Sequence, residues 1–164
     1  MQGGRDVKPP DLIEVARELA SSNRGKPKQA FLHRACSATY YAMFHALAGC
    51  CADTLIGGKN SDRSKPAWRQ VYRSLEHGLA KSQCENQRKL QQFPKEIQDF
   101  ANLFVTMQTK RHRADYDPFA KATKSAVALD IEQVQVTLQG FSTARMSDRR
   151  AFAAFVLLRT RNEG

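Results

Sequence analysis

The chain has 164 residues, enough for a single core of ordinary size, and carries 26 Lys and Arg against 16 Asp and Glu. Its formal net charge of +10 favours polyanionic partners such as RNA, DNA or an acidic protein. No stretch is long and apolar enough to span a bilayer, and Met1-Gln2-Gly3-Gly4-Arg5 lacks the apolar run of a secretory signal.

Residues 1–10 read as a loose tail ending in Pro9-Pro10, and Asp11 caps a first helix reaching about Ser22, with Leu12, Ile13, Val15, Ala16 and Leu19 inward. Gly25 and Pro27 punctuate the chain before a long second helix from about Pro27 to Leu55. There Ala30, Phe31, Ala35, Ala38, Tyr41, Ala42, His45, Ala46 and Gly49 recur at three- and four-residue steps. The small residues permit close approach of another helix, and Tyr40 and Tyr41 read as packing residues. His33 and His77 have no partner in the pattern.

Gly57 to Asp62 is a loop. Ser64 caps a third helix with Pro66 in its first turn and Trp68, Val71, Tyr72, Leu75 and Leu79 on the inner face. The polar run from Lys81 to Gln92 suggests a loop or a weakly packed turn. Pro94 opens a fourth helix through Ile97, Phe100, Ala101, Phe104 and Val105 that ends near Asp117-Pro118. A fifth spans Lys124 to Thr143, with Ala126, Val127, Ile131, Val134, Leu138 and Phe141 inward. A sixth spans Ser147 to Arg161, apolar at Phe152, Phe155 and Val156 and flanked by Arg145, Arg149, Arg150, Arg159 and Arg161. With no strand pattern, the fold class is all-α, an up-and-down antiparallel helical bundle over 11–143, followed by a basic amphipathic helix over 144–164.

Cys36, Cys50, Cys51 and Cys84 form no C-x-x-C pair and no zinc spacing, and no carboxylate cluster suggests a divalent cation. The expectation is therefore free thiols, no metal, no cofactor and a reduced, cytoplasmic setting.

The densest chemistry lies in Lys110-Arg111-His112-Arg113-Ala114-Asp115-Tyr116-Asp117. Arg111 and Arg113 can each clamp a phosphate or serve as helix C-terminal cations. His112 can carry a proton near neutral pH or simply face solvent. Asp115 can orient an arginine, and Tyr116 can stack on a base or plug the helix end. Lys110, Arg111, Arg113, Arg149 and Arg150 are the candidate nucleic-acid contacts. His45, on the face that carries Tyr41, can supply an imidazole or be a satisfied core residue. The last helix can dock on a protein partner, follow RNA or lie on an anionic membrane surface.

Two segments are similar to HEPN domains, especially small stand-alone bacterial ones. Ser37-Ala38-Thr39-Tyr40-Tyr41-Ala42-Met43-Phe44-His45-Ala46-Leu47 resembles their central helix, and Arg111-His112-Arg113-Ala114-Asp115-Tyr116-Asp117 resembles their R-x-x-A-D-Y segment. The resemblance covers roughly residues 10–143 and implies a homodimer that binds RNA or nucleotides in a toxin–antitoxin or antiviral defence setting. It also implies metal-independent ribonuclease chemistry, in which an arginine and a histidine a few residues apart activate the ribose 2′-hydroxyl and stabilise the phosphorane. Here the positions that would hold that histidine after Arg111 are Tyr116, Asp117 and Pro118. Two expectations follow. One is a nuclease with Arg111 as phosphate clamp, His112 or His45 as proton carrier, and Asp115 and Tyr116 as orienting groups. The other is a catalytically silent module that holds a protein partner.

Overall fold

A computed structural model describes residues 7–21 and 25–161. Among the described residues it contains eight α-helices and no strand: α1 (Pro9–Ser21), α2 (Gln29–Leu55), α3 (Lys65–Arg73), α4 (His77–Cys84), α5 (Gln87–Leu90), α6 (Lys95–Tyr116), α7 (Lys124–Thr143) and α8 (Met146–Leu157). The all-α expectation is met, and no described helix is long and apolar enough to cross a membrane. The expected tail extends only partly into the described residues: 1–6 lie outside them, and α1 already begins at Pro9. The expected end of the first helix at Ser22 also lies outside them.

The chain groups into two units, one drawing on residues up to 46 with 106–138, the other on 47–105 with the segment from 139 onward. In the first unit, α1 buries Ile13, Ala16 and Ala20, while Val15 is exposed because it falls on the opposite side of the turn. α2 buries Leu32, Ala35, Ala38, Tyr40, Ala42 and Met43, and α7 buries Val127, Ile131 and Val134. Ala126, expected inward, is exposed. The alanines of α2 remove side-chain bulk where neighbours approach. The fully buried Thr39 hydroxyl donates to the Ala35 carbonyl at 2.7 Å, which spares it an unsatisfied burial.

Polar ties fix the helices of this unit. Arg17 of α1 pairs with Glu132 of α7 at 2.8 Å and also meets Gln135. Lys110 of α6 reaches Asp130 of α7 at 2.6 Å, where the carboxylate is nearly buried and the ammonium half-exposed. Contacts of α2 with the end of α6 and the loop after it run Gln29–Ala122, His33–Ala120 and Ser37–Asp115, so the sequence direction reverses between them. That is the antiparallel pairing expected of an up-and-down bundle.

The second unit centres on aromatic rings. Phe100 of α6 and Phe141 of α7 stack with centroids 4.2 Å apart, and Phe152 of α8 meets both edge-on. Ile97, Leu90, Cys84 and Val156 are buried in this unit too. α8 is thus part of a core: Phe152 and Val156, expected as a docking face, are fully buried. The helix ends at Leu157, short of the expected Arg161, because Leu158 adopts extended backbone.

Two local expectations are corrected. The third helix stops at Arg73 rather than running on to Leu79, with Ser74 turning its hydroxyl back to the Gln70 carbonyl at 2.6 Å. Its start is as expected: Ser64 accepts from the Ala67 amide. The polar run 81–92, expected as a loop or a weakly packed turn, holds the second half of α4 and all of α5. Within that stretch Cys84 and Leu90 are buried, as is Ala80 just before it, so a narrow apolar stripe sits among mostly polar residues. Ahead of α3, Gly57 has φ +139° and lies where an added Cβ would stand 2.3 Å from the Ser61 hydroxyl, so the loop needs glycine there.

Both cores give a stability test by urea denaturation. Ala42→Leu overpacks a fully buried position and is expected to cost about 1–3 kcal/mol. An unchanged midpoint would mean the α2 phase is wrong. Phe152→Ala opens a cavity among Phe93, Phe100 and Phe141 and is expected to cost about 3–5 kcal/mol. A loss under about 1 kcal/mol would put α8 outside the cooperative core.

Candidate functional site: a basic groove in the first unit

α2 carries two rows of side chains at four-residue steps, His33–Ser37–Tyr41 and Ala30–Arg34–Ala38. Both rows line a groove of about 820 Å³, completed by Val15 and Leu19 of α1 and Ala114, Asp115 and Tyr116 of α6. One wall is small and apolar, and the other is polar.

Asp115 organises the polar wall. Its Oδ1 accepts a hydrogen bond from the Ser37 hydroxyl at 2.9 Å, and its Oδ2 lies 3.5 Å from the Arg111 guanidinium, one helical turn earlier. Arg111 is not in bulk water. Its side chain is 12% exposed, and its guanidinium carbon lies 5.1 Å from the Tyr40 ring centre and 5.9 Å from that of Tyr41. Its Nε is buried and makes no hydrogen bond. A single carboxylate contact at 3.5 Å is long for a charge-assisted bond, so the arginine charge is only partly compensated.

Arg111 stands behind the wall rather than on it, and the arginine that lines the groove is Arg34. Arg34 is exposed and forms no ion pair among the described residues. His33 bonds through Nε2 to the Ala120 carbonyl at 3.1 Å. A carbonyl only accepts, so Nε2 carries the proton in the neutral ring and Nδ1 keeps its lone pair.

The structure brings Asp115 and Tyr116 into the groove, with Arg111 directly behind it. His112 is exposed, its ring 4.8 Å from that of Tyr116, and is not a lining residue. His45 does not line the groove either; it packs against Tyr41 and Phe44, and burial lowers its pKa. Lys110 is engaged by Asp130, whereas Arg113 is exposed without an ion pair among the described residues. Arg149 and Arg150 belong to the second unit, where each donates its Nε–H to a backbone carbonyl, Ala144 at 3.0 Å and Thr54 at 2.9 Å.

His33, Arg34 and Ser37 are the groove residues to which sequence reasoning gave no role. The available signal was their four-residue register with Tyr41 and Ala38.

Cys36 is buried and held as the thiol. Burial, aided by the Asp130 charge, pushes its thiol up to about 11. Burial likewise raises Cys50 to about 11 and Cys84 to about 12, and it raises Cys51 further. All four are free. Among the described residues no three His, Cys, Asp or Glu side chains gather as a metal-binding group. The chain matches no protein-family model, no curated protein and no solved structure.

The lowered His45 pKa gives a pH test with a fixed sign. Below its ordinary value of 6.5 the unfolded chain takes up a proton that the folded chain still refuses. Stability is therefore expected to fall as pH drops through 6.5 toward the depressed folded value. Urea midpoints measured between about pH 7.5 and about pH 5 should fall less steeply in His45→Gln. Identical slopes in the two proteins would show that His45 is not the group responsible.

Proposed function

We propose that the groove of the first unit binds a nucleotide or RNA. The observation that carries this reading is the buried, incompletely neutralised Arg111 behind a groove that Arg34 faces directly. A lining cation, with a second one held against the lining residues Asp115 and Tyr41, favours phosphate, and the Tyr41 and Tyr116 rings among the lining residues suit a base. Arg34 takes the phosphate as a forked donor. Arg111 acts through Asp115 and Tyr41: it holds the carboxylate that holds Ser37, and it keeps the local potential positive.

The HEPN resemblance extends this reading to a homodimeric, metal-independent ribonuclease of a toxin–antitoxin or defence system. Such chemistry needs a base for the ribose 2′-hydroxyl and a cation for the phosphorane. In this groove His33 Nδ1 is the available base, in preference to His112 or His45, and Arg34 is the cation. The silent-module alternative is favoured by one observation, the missing histidine after Arg111.

Incubating the full chain with labelled RNA in EDTA separates these readings. Wild type is expected to bind, and Arg34→Ala to weaken binding by about tenfold. Cleavage that leaves 2′,3′-cyclic phosphate ends and disappears in His33→Ala supports the nuclease. Binding without cleavage keeps the groove reading and removes the nuclease, whereas absence of binding to RNA and nucleotides alike removes the groove reading and favours the silent module.

A further inference from the structure

The turn between α6 and α7 holds its backbone tightly and presents a large apolar side chain to water. Phe119 is 87% exposed and Tyr116, three residues before it, 69%. Yet the turn is clamped. Asp117 accepts from the Phe119 amide at 2.9 Å through Oδ1 and from the Ala120 amide at 3.1 Å through its carbonyl. Gln29 of α2 grips Ala122 from both sides, its Nε2 donating to the carbonyl and its Oε1 accepting from the amide, each at 2.8 Å. His33, a lining residue of the groove, bonds the Ala120 carbonyl. Five hydrogen bonds thus fix six residues of backbone around one uncovered phenyl ring.

Folding gains nothing from exposing that ring, whereas binding gains from having it already in place. A partner that covers it loses little ordering free energy, because the backbone beneath is set before contact. The surroundings name the partner. Arg113, Lys121 and Lys124 flank the turn, all exposed and without ion pairs among the described residues. Of the two carboxylates adjoining the turn in sequence, Asp115 meets Ser37 and Arg111 and Asp117 accepts from the Phe119 amide, so neither is paired with these three cations. Exposed rings among unpaired cations match bases and phosphates in alternation.

We infer that Phe119 is a stacking platform for an unpaired base, so that the nucleic acid entering the groove is single-stranded. Tyr116 and Phe119 take successive bases while Lys121 and Lys124 follow the backbone. A duplex cannot use this platform, because its bases are stacked on one another. The inference rests on the groove reading and adds the class of ligand and the residue that selects it.

The test measures affinity of the full chain, at one fixed salt concentration, for a labelled RNA of about eight nucleotides, the same RNA annealed to its complement, and a nucleoside monophosphate. Wild type is expected to prefer the single strand. Phe119→Ala should weaken single-strand binding by about tenfold, Phe119→Trp should restore it, and monophosphate binding should be unchanged in both. Because Phe119 is exposed, these variants keep the fold. Wild-type affinity in Phe119→Ala, alongside loss in Arg34→Ala, overturns the platform and leaves the groove reading standing. Full rescue by Phe119→Leu also overturns it, since that indicates an apolar contact rather than stacking. If wild type binds none of the three probes, the groove reading fails and the platform falls with it.

Discussion

Asp115 holds the first unit's site together. Its carboxylate sits where α2 and α6 meet, taking the Ser37 hydroxyl on one oxygen and facing Arg111 with the other. Arg111 in turn lies over Tyr40 and Tyr41, one a core ring and the other a groove wall. One carboxylate therefore ties a hydroxyl, a guanidinium and two rings from two helices into a fixed arrangement. A polar network in a half-buried setting has large consequences, because each member left without its partner keeps the cost of desolvation. The groove is rigid at this end because that cost discourages rearrangement.

The arrangement also explains why the most basic stretch of the chain does not behave as a uniform cationic patch. Of its members, Lys110 neutralises Asp130, Arg111 is held against aromatic rings, and Arg113 faces solvent. Three neighbouring cations have three different environments because successive helical residues point about 100° apart. Charge counted along the sequence overstates charge delivered to a single surface. The cation that faces the groove comes from another helix.

How far the sequence was legible follows from the range of the interactions involved. α7 runs over the expected residues, since Val127, Ile131 and Val134 form a regular stripe behind Thr123, whose hydroxyl accepts from the Ala126 amide at 3.2 Å. The start of α3 was equally plain from Ser64 and Pro66. Its end was not, because Ser74 suits a helix interior poorly but does not forbid it. α4 was hidden because a two-turn helix with few buried residues has almost no periodicity to display. Asp115 and Tyr116, which line the groove, stood out in the sequence as candidates from their company. His33, Ser37 and Arg34 did not, since His33 and Ser37 acquire partners only when residues 78 to 87 positions away fold back beside them, and Arg34 joins the groove only through the same folding. The same limit made α8 look like a free basic helix: its aromatic face is satisfied by Phe100 and Phe141, which its own sequence cannot reveal.

The Trp68 cluster has a practical consequence. The chain contains one tryptophan, whose indole N–H donates to Asp53 at 2.8 Å, the same oxygen that holds Arg63 at 2.9 Å. Arg63 lies 4.8 Å over the indole, and Tyr72 stacks beside it. All four residues belong to the second unit. The protein thus carries a single indole fluorophore, buttressed at the junction of α2 and α3. Excited beyond the tyrosine absorption band, its emission reports the local order of that corner of the second unit, so a spectroscopist can follow it without attaching a label.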